Sequence, residues 1–197
     1  MLQVEIEVKF CQVNHDDIRQ KLKNIGTECV LPMRTMRRSV LEQPFMREDK
    51  DSFIRVRDEG DKITMTYKQF DSLSLHGAKE IEVEVSDYAK TIAIFEQAGL
   101  RKTTEQESKR ETWCLDEVEI VLDEWPWIKP YIEIEGKTEA EVRKVAQKLG
   151  FSWDDAVFGD VMAVYRLEYP HLKISDTIGT VSHVRFGDPL PPLLHKP

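Results

Sequence analysis

Apolar residues alternate with fully charged residues over several short stretches of this chain. In the first stretch the apolar set is Val4, Ile6, Val8 and Phe10, and the charged set between them is Glu5, Glu7 and Lys9. Successive side chains of an extended strand point to opposite faces, so the pattern predicts a strand with one apolar face and one charged face. Such strands need a sheet whose apolar face is covered and whose charged face meets water or a charged ligand.

The alternation recurs twice, and each copy is followed by a segment with helical spacing. The second copy covers residues 80–85 and the third covers residues 131–135. Side chains that can cap the three following helices are Asn14, Ser86 and Thr138, and the glycines that can end them are Gly26, Gly99 and Gly150. Each predicted helix carries one apolar stripe, which we expect to cover the apolar face of the sheet.

Further strands and one more helix complete the predicted elements. The strands are expected at residues 39–41, 53–57, 62–68, 108–114 and 118–123, mostly in antiparallel pairs, and the helix is expected after Gly159. A chain of 197 residues can bury one sizeable core. We therefore predict one domain over residues 1–170. A proline-rich extension over residues 171–197 should follow it, either as an arm packed on the domain or as a loose tail.

Charge and cysteine usage limit the class of protein. The formal net charge of -8 and the pI near 5.2 oppose binding to nucleic acid or to an anionic membrane surface. Cys11, Cys29 and Cys114 lack the spacing of a zinc site or a disulfide framework. The start of the chain does not resemble a signal peptide, and no apolar run is long enough to span a bilayer, so a cytoplasmic protein is expected. The sequence is compatible with a homodimer but does not determine the oligomeric state.

The charged faces of the predicted strands decide what the sheet can bind. The acidic residues on these faces are Glu5, Glu7, Glu80, Glu82, Asp123, Glu133 and Glu135, and the basic residues are Lys9, Arg55, Arg57, Lys68 and Arg110. On an open sheet they would form a solvated lattice of ion pairs, each worth roughly 0–1 kcal/mol. In a closed barrel they would share a hydrated interior where unpaired charge is costly. A polyphosphate with divalent cations would supply both complements there.

The order of these motifs resembles the CYTH superfamily, named for class IV adenylyl cyclases and thiamine triphosphatases. The motifs are Glu5-x-Glu7-x-Lys9 at the amino terminus, Arg55-x-Arg57, Thr66-x-Lys68, Glu80-x-Glu82, and Asp123 followed by Glu133-x-Glu135. The resemblance extends from the first strand to the helix around Tyr165. It implies an α+β fold in which a closed antiparallel eight-stranded β-barrel, or tunnel, is covered by helices.

The resemblance also implies roles for individual residues. Glu5, Glu7, Glu80, Glu82, Asp123, Glu133 and Glu135 would bind Mg²⁺ or Mn²⁺, and Lys9, Arg55, Arg57, Lys68 and Arg110 would bind phosphate. Glu7 and Lys9 would be catalytic. Lys9 could alternatively help to activate the nucleophile if neighbouring cations lower its pKa.

Two positions depart from the pattern of the family. Ser108 stands where relatives often have the first lysine of K-x-R, so Lys109 is a candidate phosphate ligand only if the strand register shifts by one residue. Arg38 stands where many relatives have the aspartate that begins D-x-Y-F-D, before Pro44. The second departure weakens any inference about nucleotide specificity.

The predicted reaction is metal-dependent hydrolysis of a small triphosphate: inorganic triphosphate, a nucleoside triphosphate or thiamine triphosphate. One alternative is an adenylyl cyclase, which would convert ATP to cyclic AMP and pyrophosphate. Another is a noncatalytic module that binds polyphosphate. All three would use the same charged residues, so the motifs alone do not separate them.

A few other side chains have two interpretations each. Trp125 and Trp127 could stack on a base at the tunnel mouth or pack within their loop. Tyr165 and Arg166 could plug the tunnel or pack across one rim. Glu84 continues the second alternating pattern, after Glu80 and Glu82, but is expected at the edge of the barrel, outside the site.

Overall fold

The computed structural model describes residues 2–46 and 51–196. Met1 and Pro197, which the predicted domain and extension include, lie outside these residues, as do residues 47–50. The strands are β1 (Gln3–Val4), β2 (Glu7–Cys11), β3 (Glu28–Glu42), β4 (Ser52–Asp58), β5 (Ile63–Phe70), β6 (Ala78–Glu84), β7 (Arg101–Leu115), β8 (Val118–Glu124), β9 (Tyr131–Glu135) and β10 (His183–Val184). The helices are α1 (His15–Asn24), α2 (Tyr88–Gln97), α3 (Glu139–Lys148) and α4 (Val161–Glu168).

Nine strands form one curled antiparallel sheet in the order β1-β6-β5-β4-β3-β7-β8-β9-β2, and β10 pairs in parallel with β7. The two end strands are separated in the chain by only Glu5 and Ile6. The Glu5 N–H donates to the Ala78 carbonyl (3.1 Å), and the Gly136 N–H donates to the Ile6 carbonyl (3.2 Å). One short amino-terminal segment therefore leaves one edge of the sheet and joins the other.

The predicted α+β antiparallel architecture is confirmed, whereas the closed eight-stranded barrel is not seen in that form. The hydrogen-bonded path contains nine strands, and β1 and β2 at its ends do not pair with each other. The cause lies at Glu5 and Ile6, where the ladder with β6 stops before the ladder with β9 begins. The sheet is curled into a half-barrel around a central space.

Much of the outer face of the sheet is apolar and covered by helices, as the alternation predicted, whereas Ile81 and Val83 of β6 stay exposed. Ile18 and Leu22 of α1 pack against the sheet together with Val142 and Val145 of α3. The sheet residues that they cover include Val8, Phe10, Ile120, Leu122, Ile132 and Ile134. A smaller cluster places Ile92 of α2 on Leu41 and Val56. These contacts leave the opposite, charged face of the strands for the interior.

Two of the three predicted helix caps are confirmed, and one is displaced by a residue. Asn14 Oδ1 accepts from the Asp16 N–H (2.8 Å), and Thr138 Oγ1 accepts from the Glu141 N–H (3.3 Å). Before α2 the cap is Asp87 and not Ser86, because Asp87 Oδ1 accepts from the Lys90 N–H (2.9 Å). Either residue type can cap a helix, so composition alone did not separate them.

The largest differences from the predicted elements are in length. The strand predicted at residues 39–41 is only the end of β3, and the strand predicted at 108–114 is only the second half of β7. β3 has shifts of register between Leu31 and Arg34, which interrupt the alternation that sequence analysis relies on. Among the described residues, none of the helices is long and apolar enough to cross a bilayer.

Substitution of Leu22 tests the packing of α1. Leu22 is 0% exposed, whereas the neighbouring Lys23 points to solvent. We expect Leu22→Ala to lower the free energy of unfolding by about 2–5 kcal/mol, because it removes buried apolar contacts and leaves a cavity. Lys23→Ala should change it by less than about 0.5 kcal/mol. Urea denaturation measures both values, and equal effects would show that α1 does not cover the sheet.

Candidate functional site

The concave side of the sheet encloses a cavity of about 370 Å³ that is lined mainly by charged side chains. The predicted site residues on this cavity are Glu5, Glu7, Lys9, Arg55, Arg57, Lys68, Glu80, Glu82, Arg110, Asp123, Glu133 and Glu135. They come from strands that lie far apart in the sequence. The charged faces of these strands therefore point together into one space, and do not form the outer surface of an open sheet.

Three carboxylates form the densest acidic group in this cavity. Glu5, Glu7 and Glu135 each place one oxygen so that the three oxygens lie within 4.8 Å of one another. Register explains the arrangement, because Glu7 pairs with Glu135 across β2 and β9. Burial, reinforced by Glu5 and Glu7, raises the pKa of Glu135 to about 8. Burial also raises the pKa of Glu5, although the nearby Lys68 opposes the shift.

This acidic group has the chemistry of a site for a hard divalent cation. Such cations prefer oxygen ligands, and carboxylates that repel one another are relieved when they share one. Most of the carboxylates that line the cavity also face a cation. Lys9 Nζ lies 2.9 Å from Glu7, Lys68 Nζ lies 2.6 Å from Glu5 and 3.8 Å from Glu80, Arg110 Nη2 lies 2.5 Å from Asp123 and 2.8 Å from Glu133, and Arg55 Nη2 lies 3.4 Å from Glu82. Glu5, Glu7 and Glu135 fit a metal best because their oxygens lie together, and among the described residues no cation lies within 4.0 Å of Glu135.

Lys9 is a fully buried ammonium group held between two carboxylates. Its Nζ lies 2.9 Å from Glu7 and 3.2 Å from Glu133. Burial alone would lower the pKa of Lys9, but Glu133 and Glu7 outweigh that effect and raise it above its usual value. A lysine that activates the nucleophile would need a lowered pKa. The pKa of Lys9 is not lowered, because carboxylates and not cations surround its ammonium group. Lys9 keeps its positive charge in this setting.

A wall rich in arginine lines another part of the same cavity. Arg55 and Arg57 project from β4, and Arg110 projects from β7. Arg57 Nη2 lies 2.6 Å from Glu59, and Arg110 binds both oxygens of Asp123. Guanidinium groups in such number suit an anion with several oxygens, because each group can donate two parallel hydrogen bonds.

Lys109 is the one predicted site residue that does not line the cavity. It lies on the outer face of β7, where its side chain is 41% exposed and its Nζ is 3.4 Å from Glu124 and 4.8 Å from the centre of the Phe186 ring. Ser108 and Arg110 share the inner face, since β7 keeps its alternation and the register does not shift. Lys109 was a candidate phosphate ligand only if the strand register shifted by one residue. Because the register does not shift, Lys109 is not placed to bind phosphate in the cavity.

Several cavity residues were not identified from the sequence. They are Arg34, Arg38, Glu59, Lys62, Glu119 and Asp160, together with the turn at residues 177–179. Arg34 and Arg38 share one face of β3 with Met36 and Val40. The charged Arg37 on the opposite face obscures this alternation in the sequence. Asp160, which caps α4, and the turn at 177–179 lie close to the boundary predicted at residue 170. That boundary stays a prediction.

The aromatic residues considered for base stacking are engaged within the protein. Trp125 is buried, and the Arg38 guanidinium lies 4.5 Å from the centre of its ring. Trp127 Nε1 donates to the Asp188 carbonyl (2.9 Å). Tyr165 is buried and its hydroxyl donates to the Pro126 carbonyl (2.8 Å), which favours packing over plugging.

Comparisons with known proteins agree with the fold described above. The model of the CYTH domain matches residues 3–155. The structure resembles the PH1012 protein of Pyrococcus horikoshii OT3, with a TM-score of 0.68 and 25% identity over 81% of this chain and 98% of that one. It also resembles a Vibrio parahaemolyticus protein provisionally named an adenylate cyclase, with a TM-score of 0.68 and 15% identity over 82% of this chain and 97% of that one.

A third similar structure is the Hippeastrum protein HpAC1, provisionally named an adenylyl cyclase and described as having a dominant triphosphatase activity. Its TM-score is 0.55, with 14% identity over 83% of this chain and 95% of that one. At 14% and 15% identity, the similarity to the Hippeastrum and Vibrio proteins shows the fold alone. No curated protein matches the sequence significantly. The family model covers most of the chain, and so the protein belongs to the CYTH domain family.

Proposed function

We propose that the protein hydrolyses a triphosphate in this cavity with the help of a divalent cation, Mg²⁺ or Mn²⁺. The observation that carries the proposal is the presence, in one cavity, of an arginine wall and of three clustered carboxylates, of which only Glu5 and Glu7 face a lysine. A polyphosphate bound with its cation has charges of both signs in adjacent places. It would neutralise both parts of the cavity at once.

The residues of the cavity would share the work of binding and orientation. Glu5, Glu7 and Glu135 would hold the cation, which when bound polarises a phosphorus–oxygen bond. Arg55, Arg57 and Arg110 would bind phosphate oxygens in a fixed geometry. These arginines are already held by ion pairs, so little reorganisation would accompany the build-up of negative charge.

Lys9 and Glu7 would act closest to the reacting phosphate. Lys9 stays charged and is fixed by two carboxylates, so it would stabilise negative charge and would not remove a proton. Glu7 is the carboxylate that Lys9 orients through a hydrogen bond of 2.9 Å. In this proposal Glu7 accepts a proton from the attacking water.

The products of the reaction test the proposal. Purified protein is incubated with inorganic triphosphate or with ATP, each with Mg²⁺ or Mn²⁺, and the products are separated by ion-exchange chromatography. We expect release of orthophosphate. Cyclic AMP with pyrophosphate would instead identify a cyclase, which would use the same cation and phosphate contacts. Binding without any product would favour the noncatalytic module.

Removal of charge from the acidic group tests the cation site. Glu7→Gln and Glu135→Gln each keep the shape of the side chain but remove one anionic oxygen ligand. We expect each to weaken Mn²⁺ affinity, measured by calorimetry, by about 10- to 100-fold, since loss of a charged contact costs about 1.5–3 kcal/mol. Glu84→Gln is the matched control, because Glu84 continues the same alternation but is exposed and lies outside the cavity lining. Equal affinities for all three variants would contradict the site.

The adjacent residues Lys109 and Arg110 give a second test, because they face opposite sides of one strand. Arg110→Gln should lower kcat/KM for triphosphate by about 10-fold or more, as expected for loss of one charge-assisted contact. Lys109→Gln should leave kcat/KM within about twofold. Thermal melting of both variants controls for misfolding. A larger effect from Lys109→Gln would show that the outer face of the sheet binds the substrate.

A further inference from the structure

Arg38 on β3 is a buried cation without an acidic partner among the residues that the structure describes. The residue is 8% exposed and lines the cavity. Its Nη2 donates to Ser108 Oγ (2.7 Å), while its Nε has no hydrogen-bond partner. Within residues 2–46 and 51–196, no carboxylate oxygen lies within 4.0 Å of its guanidinium nitrogens. A buried charge without a counter-charge is costly, so its retention calls for an explanation.

The other buried cations of the cavity are each paired with a carboxylate. The nearest oxygens lie 2.9 Å from Lys9, 2.6 Å from Arg57, 2.6 Å from Lys68 and 2.5 Å from Arg110. The charges that act most strongly on Arg38 are instead other arginines. Burial lowers the pKa of Arg38 well below its usual value, Arg57, Arg55 and Arg110 lower it further, and only the Asp123 carboxylate among the main influences opposes the shift. The surroundings of Arg38 therefore favour an incoming anion.

Two sequence positions produce this surplus of positive charge. Arg38 pairs with Gln106 across β3 and β7, and Met36 pairs with Ser108, so Arg38 and Ser108 are diagonal neighbours on the inner face. The family pattern described above would place an aspartate and a lysine there, and those would neutralise each other. Arg38 and Ser108 together have a net charge of +1 in the same space. The hydroxyl of Ser108 orients the guanidinium but does not neutralise it.

The wall behind Arg38 is apolar and closed. Trp125, on which Arg38 stacks, belongs to a buried cluster with Met162 and Ile178. The Ile178 N–H lies 3.1 Å from the Met162 sulfur, and both side chains also line the cavity. Arg38 thus covers one face of the aromatic ring that could otherwise stack on a base. A nucleoside at this wall would meet the Arg38 guanidinium in place of the ring face that it covers.

We propose that Arg38 binds a phosphate oxygen of the substrate and that it makes the cavity select an unsubstituted triphosphate over a nucleoside triphosphate. Ser108 and Trp125 are positioning residues for its guanidinium. The inference rests on the proposed function, because it names the substrate class of the same cavity. Arg55, Arg57 and Arg110 each form an ion pair with a carboxylate. The contact between Arg38 and phosphate would be additional to the phosphate contacts of these three arginines.

Arg38→Gln and its neighbour Arg37→Gln provide a matched comparison. Arg37 lies on the opposite face of β3, where its side chain is 68% exposed. Affinities for inorganic triphosphate and for ATP are measured by calorimetry in EDTA, and kcat/KM is measured for both with Mg²⁺. We expect Arg38→Gln to weaken triphosphate binding by about 10- to 100-fold, the range of one charged hydrogen bond, and to weaken ATP binding much less. Arg37→Gln should change neither by more than about twofold.

A second variant guards against a merely structural effect. Arg38→Asp combined with Ser108→Lys restores a neutral pair at the same two positions, so the fold should melt at or above the temperature of the wild type without ligand. Triphosphate should stabilise this variant against heat much less than it stabilises the wild type. A wild-type response from this variant, or equal losses for triphosphate and ATP in Arg38→Gln, would overturn the inference.

Failure of the inference and failure of the proposed function give different results. If the wild type neither binds nor hydrolyses any triphosphate, the proposed function fails, and the role of Arg38 fails with it. If the wild type hydrolyses triphosphate and Arg38→Gln does so with unchanged kcat/KM and selectivity, only the role of Arg38 fails.

Discussion

Each charge that the strands direct into the cavity needs a counter-charge, because the cavity removes it from bulk water. The chain meets this need with pairs across neighbouring strands, such as Lys9 with Glu133 and Arg110 with Asp123. Both pairs follow from the antiparallel register, which places Lys9 of β2 opposite Glu133 of β9 and Arg110 of β7 opposite Asp123 of β8. Among the described residues, the balance is left incomplete in two places, with the opposite sign in each: at Glu135, whose neighbours Glu5 and Glu7 already pair with lysines, and at Arg38. A phosphate chain with its cation would complete both.

The cost of this interior must be met elsewhere in the fold. The same strands that direct charge inward direct Ile120, Ile132 and Ile134 outward, where they are fully buried under α1 and α3. A single alternating sequence therefore supplies both the polar site and the apolar core that holds it in place. This coupling explains why the site residues lie on strands and not on loops, since a strand with one face buried has a strongly specified register.

The sequence was informative where the relevant pattern is local. Alternation assigned the inner faces of β2, β4 and β9 correctly, because a strand has a period of two residues wherever it lies in the sheet. The same rule placed Ser108 inward and Lys109 outward, so the outer position of Lys109 follows from parity alone. The pattern failed in β3, where register shifts after Leu31 and the consecutive charges of Arg37 and Arg38 conceal which residue faces inward. The contact between Arg38 and Ser108 depends on the pairing of β3 with β7, which no local pattern reveals.

The carboxy-terminal part of the chain completes the wall of the cavity behind Arg38. The CYTH match ends at residue 155, but Met162 and Ile178 lie beyond it and still form part of the cavity wall. They pack with Trp125, which in turn supports the guanidinium of Arg38. The residues proposed to bind phosphate and the cation thus lie within the part of the chain that the CYTH model matches, whereas the wall behind Arg38 is completed from outside it. If Arg38 selects the substrate as proposed, a change in the packing of Met162 or Ile178 would act on that selection through Trp125, on which the Arg38 guanidinium stacks.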